Sequence, residues 1–135
     1  MTKEQLISMA KEAMMHSYSP YSGYKVGAAL LCKDGSVYTG CNIENAGYST
    51  TNCAERTAFF KAVSEGKREF VAIAICGGKD GVIEGLFPPC GVCRQVMREF
   101  CGDDFLIYLA TEDGVEEYTL KDLLPVSFRP ETIEK

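Results

Sequence analysis

The stretch Phe70-Val71-Ala72-Ile73-Ala74-Ile75-Cys76 decides the fold. It is apolar throughout and rich in β-branched residues, with no polar alternation, as in strands buried on both faces. Such a strand needs a layer of helix on each side. Downstream, 77–89 reads as loop and 90–100 as a helix, with Gly102 in the usual helix-stop position. Residues 105–110 form another apolar strand, and Glu112-Asp113-Gly114 turns the chain into a strand over 115–119. A short helix over 120–124 stops at Pro125.

Upstream, a helix over 53–66 follows a loop at 42–52, and Asp34-Gly35 joins strands at 25–32 and 37–41 into a hairpin. The first helix opens on Thr2 with Gln5 three residues later, a capping-box pattern, and carries its apolar face on Leu6, Ile7, Met9, Ala10, Ala13 and Met14. The loop Ser19-Pro20-Tyr21-Ser22-Gly23 follows it. The order α-β-β-α-β-α-β-β-α predicts an α/β fold, one mixed sheet with helices on both faces, as a single domain over 1–135.

Composition narrows the function. The 135 residues carry 14 basic and 19 acidic side chains, a net charge of −5, with no basic run beyond Lys67-Arg68. A nucleic-acid polymer is a poor partner for such a surface, and a small uncharged molecule is a better one. No stretch is apolar enough for a membrane span. Charges in residues 1–11 stand where a signal peptide needs an apolar run, so a cytoplasmic location is expected.

Seven cysteines (32, 41, 53, 76, 90, 93 and 101) are many for this length. Their odd number argues against a disulfide framework and for metal ligation by some of them. Cys32, Cys41, Cys76 and Cys101 lie in or beside apolar segments and read as small buried hydrophobes. The chemistry is left to Asn52-Cys53-Ala54-Glu55-Arg56 and Pro88-Pro89-Cys90-Gly91-Val92-Cys93. Alone, each motif is weak. Together they place three sulfurs at the starts of two helices, and a catalytic zinc keeps three protein ligands with a fourth position open. Cys90 and Cys93, at i and i+3, share one side of a helical turn. Helix N-termini stabilise thiolates, and Glu55 stands two residues past Cys53, where a carboxylate can handle protons beside the metal.

Three thiolates on Zn²⁺ leave a formal charge of −1, which opposes activating a water. The lone histidine, His16, is remote on the first helix. A cation should compensate: Arg56 is the first candidate and Arg94 the second.

These motifs resemble the small cytidine deaminases, as do Tyr21-Ser22-Gly23-Tyr24-Lys25-Val26-Gly27-Ala28-Ala29, Asn42-Ile43-Glu44-Asn45 and the run from Pro89 to Gln95. The three-cysteine zinc signature is that of the nucleobase deaminases. The resemblance spans roughly residues 5–128. It implies a three-layer α-β-α fold around a mixed five-stranded sheet and one Zn²⁺ per chain on Cys53, Cys90 and Cys93, with Glu55 as proton shuttle. It implies hydrolytic deamination of cytidine and deoxycytidine in pyrimidine salvage. Asn42 and Glu44 would hold the ribose hydroxyls, and Ala54 and Tyr24 would contact substrate, Tyr24 departing from the phenylalanine usual there. Phe128 would reach a neighbouring subunit's pocket in a homotetramer.

Blander readings stand beside these. Asn42 and Glu44 follow a strand and would ordinarily be solvated loop, Tyr24 and Phe128 core or interface aromatics, and Asn52 a helix cap. A closed structural zinc site lacks a fourth ligand at suitable spacing, and a redox Cys-x-x-Cys leaves Cys53 and Glu55 idle. Within the deaminases, deoxycytidylate or a cytosine-like antibiotic nucleoside such as blasticidin are the competing substrates.

Overall fold

The computed structural model describes residues 1–133. Its central strand is β3 (Phe70–Lys79), with β1 (Tyr24–Cys32) antiparallel on one side and β4 (Leu106–Thr111) parallel on the other. β2 (Val37–Cys41) and β5 (Gly114–Thr119) form the antiparallel edges, giving one five-stranded sheet in the order β2-β1-β3-β4-β5. The helices are α1 (Lys3–Met14), α2 (Ala54–Ser64), α3 (Gly91–Phe100) and the short α4 (Leu120–Leu123) and α5 (Pro130–Ile133). Thr2 caps α1 through the expected capping box with Gln5.

The unalternated apolar run of β3 is explained by two cores, one on each face. Ile73 and Ile75 join Leu30, Ile107 and Leu109 beneath Ala58, Phe59 and Ala62 of α2 and Met97 of α3. Ala72, Ala74 and Cys76 face the other way and join Ala29 and Ala110 beneath Leu6, Ile7, Ala10 and Met14 of α1. Large residues line one face and small ones the other, so α1 lies close on its side. This is the three-layer arrangement expected. The large-residue face is filled by aromatic rings, with Phe59 5.1 Å from Phe70 and 6.0 Å from Phe105 between centroids.

One close approach sets the position of the site. A Cβ on Gly40 of β2 would lie 2.4 Å from the Ala54 carbonyl oxygen, so only glycine lets the first turn of α2 sit directly on the sheet. That contact fixes Cys53 near the end of β2, on the open side of the β1–β2 hairpin.

Several boundaries differ from the sequence reading. β3 runs on through Gly77, Gly78 and Lys79, expected as loop, because these residues pair with Val26, Lys25 and Tyr24. Cys53 and Cys90 are N-caps with extended backbone rather than first helical residues. Asn52 therefore caps nothing, and its amide donates instead to Thr57 Oγ1 at 3.0 Å. α3 stops at an extended Cys101 (φ −129°, ψ 145°), so Gly102 forms no left-handed cap. Composition gave no sign of α5 or of the 3₁₀ turn Tyr48–Thr50.

Candidate metal centre and active site

The two N-cap positions bring three sulfurs together. Cys53 and Cys90 end extended segments at the starts of α2 and α3, and Cys93 lies in the first turn of α3. The three Sγ atoms lie within 4.8 Å of one another. Cys53 is 3.8 Å from Cys90, and Cys90 is 3.5 Å from Cys93. Two sulfurs on a tetrahedral zinc at about 2.3 Å would stand about 3.8 Å apart. The donor set fits zinc, both by this spacing and by the softness of thiolate ligands.

The sulfurs share protons unequally. Cys53 is lowered to about 5, first by a hydrogen bond with Cys93, then by Arg56 and Cys90, against the penalty of burial. Cys93 is pushed the other way because its proton serves Cys53 and because it is buried near Glu55. A cluster short of protons in this way is prepared to accept a cation in their place.

Of the two candidate cations, Arg56 is the one that reaches the sulfurs. Its Nη2 donates to Cys53 Sγ at 3.3 Å, and the two sulfurs Cys53 and Cys93 hold it firmly protonated. Arg94, the second candidate, goes elsewhere: it donates to the carbonyls of Pro89 and Leu123, each at 2.7 Å. It braces the loop carrying Cys90 against α4 and leaves the sulfurs alone.

Glu55, in the first turn of α2, is only 4% exposed. Burial raises its carboxyl to about 7, with the nearby Cys53 adding to the shift. A carboxyl poised there can both take and give a proton at neutral pH. It opens on a cavity of about 210 Å³ lined by Val26, Asn42, Thr51, Asn52, Cys53, Ala54, Glu55, Phe87, Pro88 and Cys90. Its lining combines apolar side chains with a few polar groups, as ligand pockets do.

The other candidate residues fall in different places. Ala54 lines the cavity. Asn42 lines it too, but its amide is engaged: Oδ1 accepts from Val26 N–H at 2.9 Å and from the Ser17 hydroxyl, while Nδ2 donates to the Tyr24 carbonyl at 2.9 Å. Glu44 lies outside this cavity, in a neighbouring one with Tyr21, Asn45, Tyr48 and Thr51, so Thr51 is common to both. Its carboxylate accepts from the Ser22 hydroxyl and from the Tyr21 and Ser22 amides, which hold it below the ordinary carboxylate range. Tyr24 is half-exposed and does not line the cavity. Phe128 is 58% exposed and also stands outside it, its carbonyl accepting from Gln95 Nε2 at 2.9 Å. Phe87, Pro88, Val26, Thr51 and Asn52 line the cavity without having been singled out as substrate contacts. Only the nearness of Phe87-Pro88 to Cys90, and of Thr51-Asn52 to Cys53, pointed to them in the sequence.

Comparison with known proteins agrees with this geometry. The family model described as "Cytidine and deoxycytidylate deaminase zinc-binding region" matches residues 1–109. The cytidine deaminase of Sporosarcina psychrophila is 51% identical over 134 residues, covering 98% of this chain and 96% of its own. That of Halalkalibacterium halodurans is 52% identical over 132 residues, covering 97% of each. The crystal structure of cytidine deaminase from Burkholderia pseudomallei superposes with a TM-score of 0.87 at 46% identity, covering 95% of this chain and 100% of that one. With its three sulfurs, buried glutamate and five-stranded sheet in place, the chain belongs to the cytidine and deoxycytidylate deaminase zinc-binding family.

Proposed function

We propose that the protein hydrolyses the exocyclic C4 amine of cytidine and deoxycytidine, releasing ammonia and the uracil nucleoside, as a step of pyrimidine salvage. The observation that carries this reading is the buried Glu55, raised to about 7 beside three clustered thiols and lining the same cleft as Cys53 and Cys90.

Cys53, Cys90 and Cys93 would hold one Zn²⁺, which when bound lowers the pKa of a water toward neutrality. Glu55 takes a proton from the attacking water and delivers it to ring N3. Attack at C4 gives a tetrahedral carbon; Glu55 then takes the proton of the new C4 hydroxyl and passes it to the amine, and the C4–N bond breaks as the C4 carbonyl forms. One cytidine and one water thus yield one uridine and one ammonia. Arg56 keeps the electron-rich sulfurs from opposing these transfers.

Asn42 and Glu44 would meet the ribose at the Thr51 side, Ala54 the base, and Tyr24 the outer edge of the aromatic wall. Phe128 is exposed and does not line its own cleft, and a cleft of about 210 Å³ is smaller than the roughly 300–1,000 Å³ of a complete ligand pocket. Both facts support a homotetramer in which Phe128 completes a neighbour's site. Among the described residues, no helix is long and apolar enough to cross a membrane. We read the chain as one domain over 1–135 that works in the cytoplasm. Ammonia release from cytidine, deoxycytidine, deoxycytidylate, free cytosine and blasticidin tests the assignment. The two nucleosides should be turned over, and no release from either would refute it.

A further inference from the structure

The cleft wall formed between β3 and α3 is built on bare backbone. A Cβ on Gly77 would lie 2.8 Å from Phe87 Cγ, and one on Gly78 only 1.7 Å from the Val82 carbonyl oxygen. Residues 80–87 therefore fold back flat over the end of β3, a path any side chain at 77 or 78 would block. Two hydrogen bonds pin the loop: Glu84 N–H donates to the Gly77 carbonyl at 3.0 Å, and Gly85 N–H donates to Glu112 Oε2 at 2.7 Å. Glu112 is exposed, in the turn between β4 and β5, and takes no part in the cleft.

The residue delivered by this loop is Phe87. Its ring rests on Gly77 on one side and lies 6.0 Å from the Tyr24 ring, centroid to centroid, on another. Phe87 lines the cleft and Tyr24 does not. Only Pro88 and Pro89 separate it from Cys90, and two prolines with fixed φ make that link stiff. The aromatic wall is thereby held in register with the sulfurs.

We infer that Phe87 is a specificity-determining residue that sets how much room the pyrimidine has at the reacting end, with Gly77, Gly78 and Glu112 as its positioning residues. The inference rests on the cleft taking a cytosine nucleoside, as proposed above. C5 of the ring is bonded to C4, so a substituent on C5 enters the end of the cleft where C4 must meet Glu55 and competes with Phe87 for volume. Pocket walls discriminate by steric fit of this kind at about tenfold or more per misfit group.

The test compares kcat/KM for cytidine and 5-bromocytidine in the zinc-loaded enzyme. Phe87→Ala should shift the ratio toward 5-bromocytidine by about tenfold. Gly77→Ala, which displaces the ring, should move it the same way. Glu112→Ala touches neither core nor cleft and removes only the anchor, so it gives a smaller shift in that direction even if the other two variants fold poorly. Zinc content and Tm report folding for each. A ratio unchanged in folded Phe87→Ala or in Glu112→Ala, with the wild type active on cytidine, overturns the role of Phe87 alone. A wild type that releases no ammonia from cytidine overturns both this inference and the reading beneath it.

Discussion

Arg56 Nη2 donates to Cys53 Sγ at 3.3 Å across one turn at the start of α2. The same helix thus fixes a metal ligand and the charge that compensates it, with Glu55 between them. Among the described residues, the guanidinium Nε is buried without a hydrogen-bond partner, so the contact of Nη2 with Cys53 is the hydrogen bond that orients this group.

Removing that charge should weaken the metal site more than the fold. Arg56→Ala is expected to lower zinc affinity about 10–100-fold, the usual effect of losing a group that supports a metal ligand. Competition against a zinc chelator measures it, with turnover recorded on the same samples. Unchanged affinity and unchanged kcat would show that the contact with Cys53 is incidental.

The cysteines should divide by reactivity. Cys90 is exposed and Cys53 is lowered to about 5, so in metal-stripped protein both should be alkylated rapidly. Buried Cys76 and Cys101, pushed by burial up to about 11 and about 12, should stay unlabelled. Added zinc should protect Cys53 and Cys90, as read by mass spectrometry of tryptic peptides. Labelling that zinc does not slow would count against Cys53 and Cys90 as ligands.

A second charge cluster makes a prediction about acid stability. Arg98 is 3% exposed, and its Nη2 donates to Asp103 Oδ1 at 2.9 Å, while Arg129 donates to the same oxygen at 3.1 Å. Desolvation raises the Asp103 carboxyl, but the Arg129 charge and the Arg98 hydrogen bond outweigh it and hold it below its ordinary value. A lowered carboxyl stabilises the fold above its unfolded pKa of about 3.9, and that contribution is lost as pH falls through the lower folded value. Asp103→Ala should lower the urea midpoint at pH 7, and the gap from wild type should close below about pH 4. A gap that stays constant down to the acid limit would contradict the pairing.

How far the sequence could be read follows from where each signal lies. β3 was legible because burial on both faces leaves an apolar run that no surface strand shows, and the cysteines because two helix starts each lacked ligands alone. Arg56 and Arg94 could not be separated by adjacency, since both lie close to a cysteine. Helix spacing does not separate them either, since Arg56 is three residues past Cys53 and Arg94 four past Cys90; the tertiary contacts do, because the Pro89 and Leu123 carbonyls hold the Arg94 guanidinium. The strand character of Gly77 to Lys79 was hidden because Gly-Gly-Lys-Asp has turn composition, and its pairing with Tyr24 to Val26 is a tertiary fact. Tyr24 was expected near the pyrimidine because the resemblance puts an aromatic there; in the single chain Phe87 lines the cavity and Tyr24 does not. Phe128 is exposed in the single chain, and the role proposed for it needs a second copy of the chain, whose packing no sequence pattern reveals.

The most direct test of the account is Glu55→Gln, which preserves size and removes only the ability to exchange protons. Zinc content and the rate of ammonia release from cytidine are measured on the same preparation. The account predicts one zinc per chain with kcat reduced by about 10²–10⁴-fold, the usual share of a general acid–base group. A zinc-loaded Glu55→Gln enzyme that turns over cytidine at the wild-type rate would contradict it.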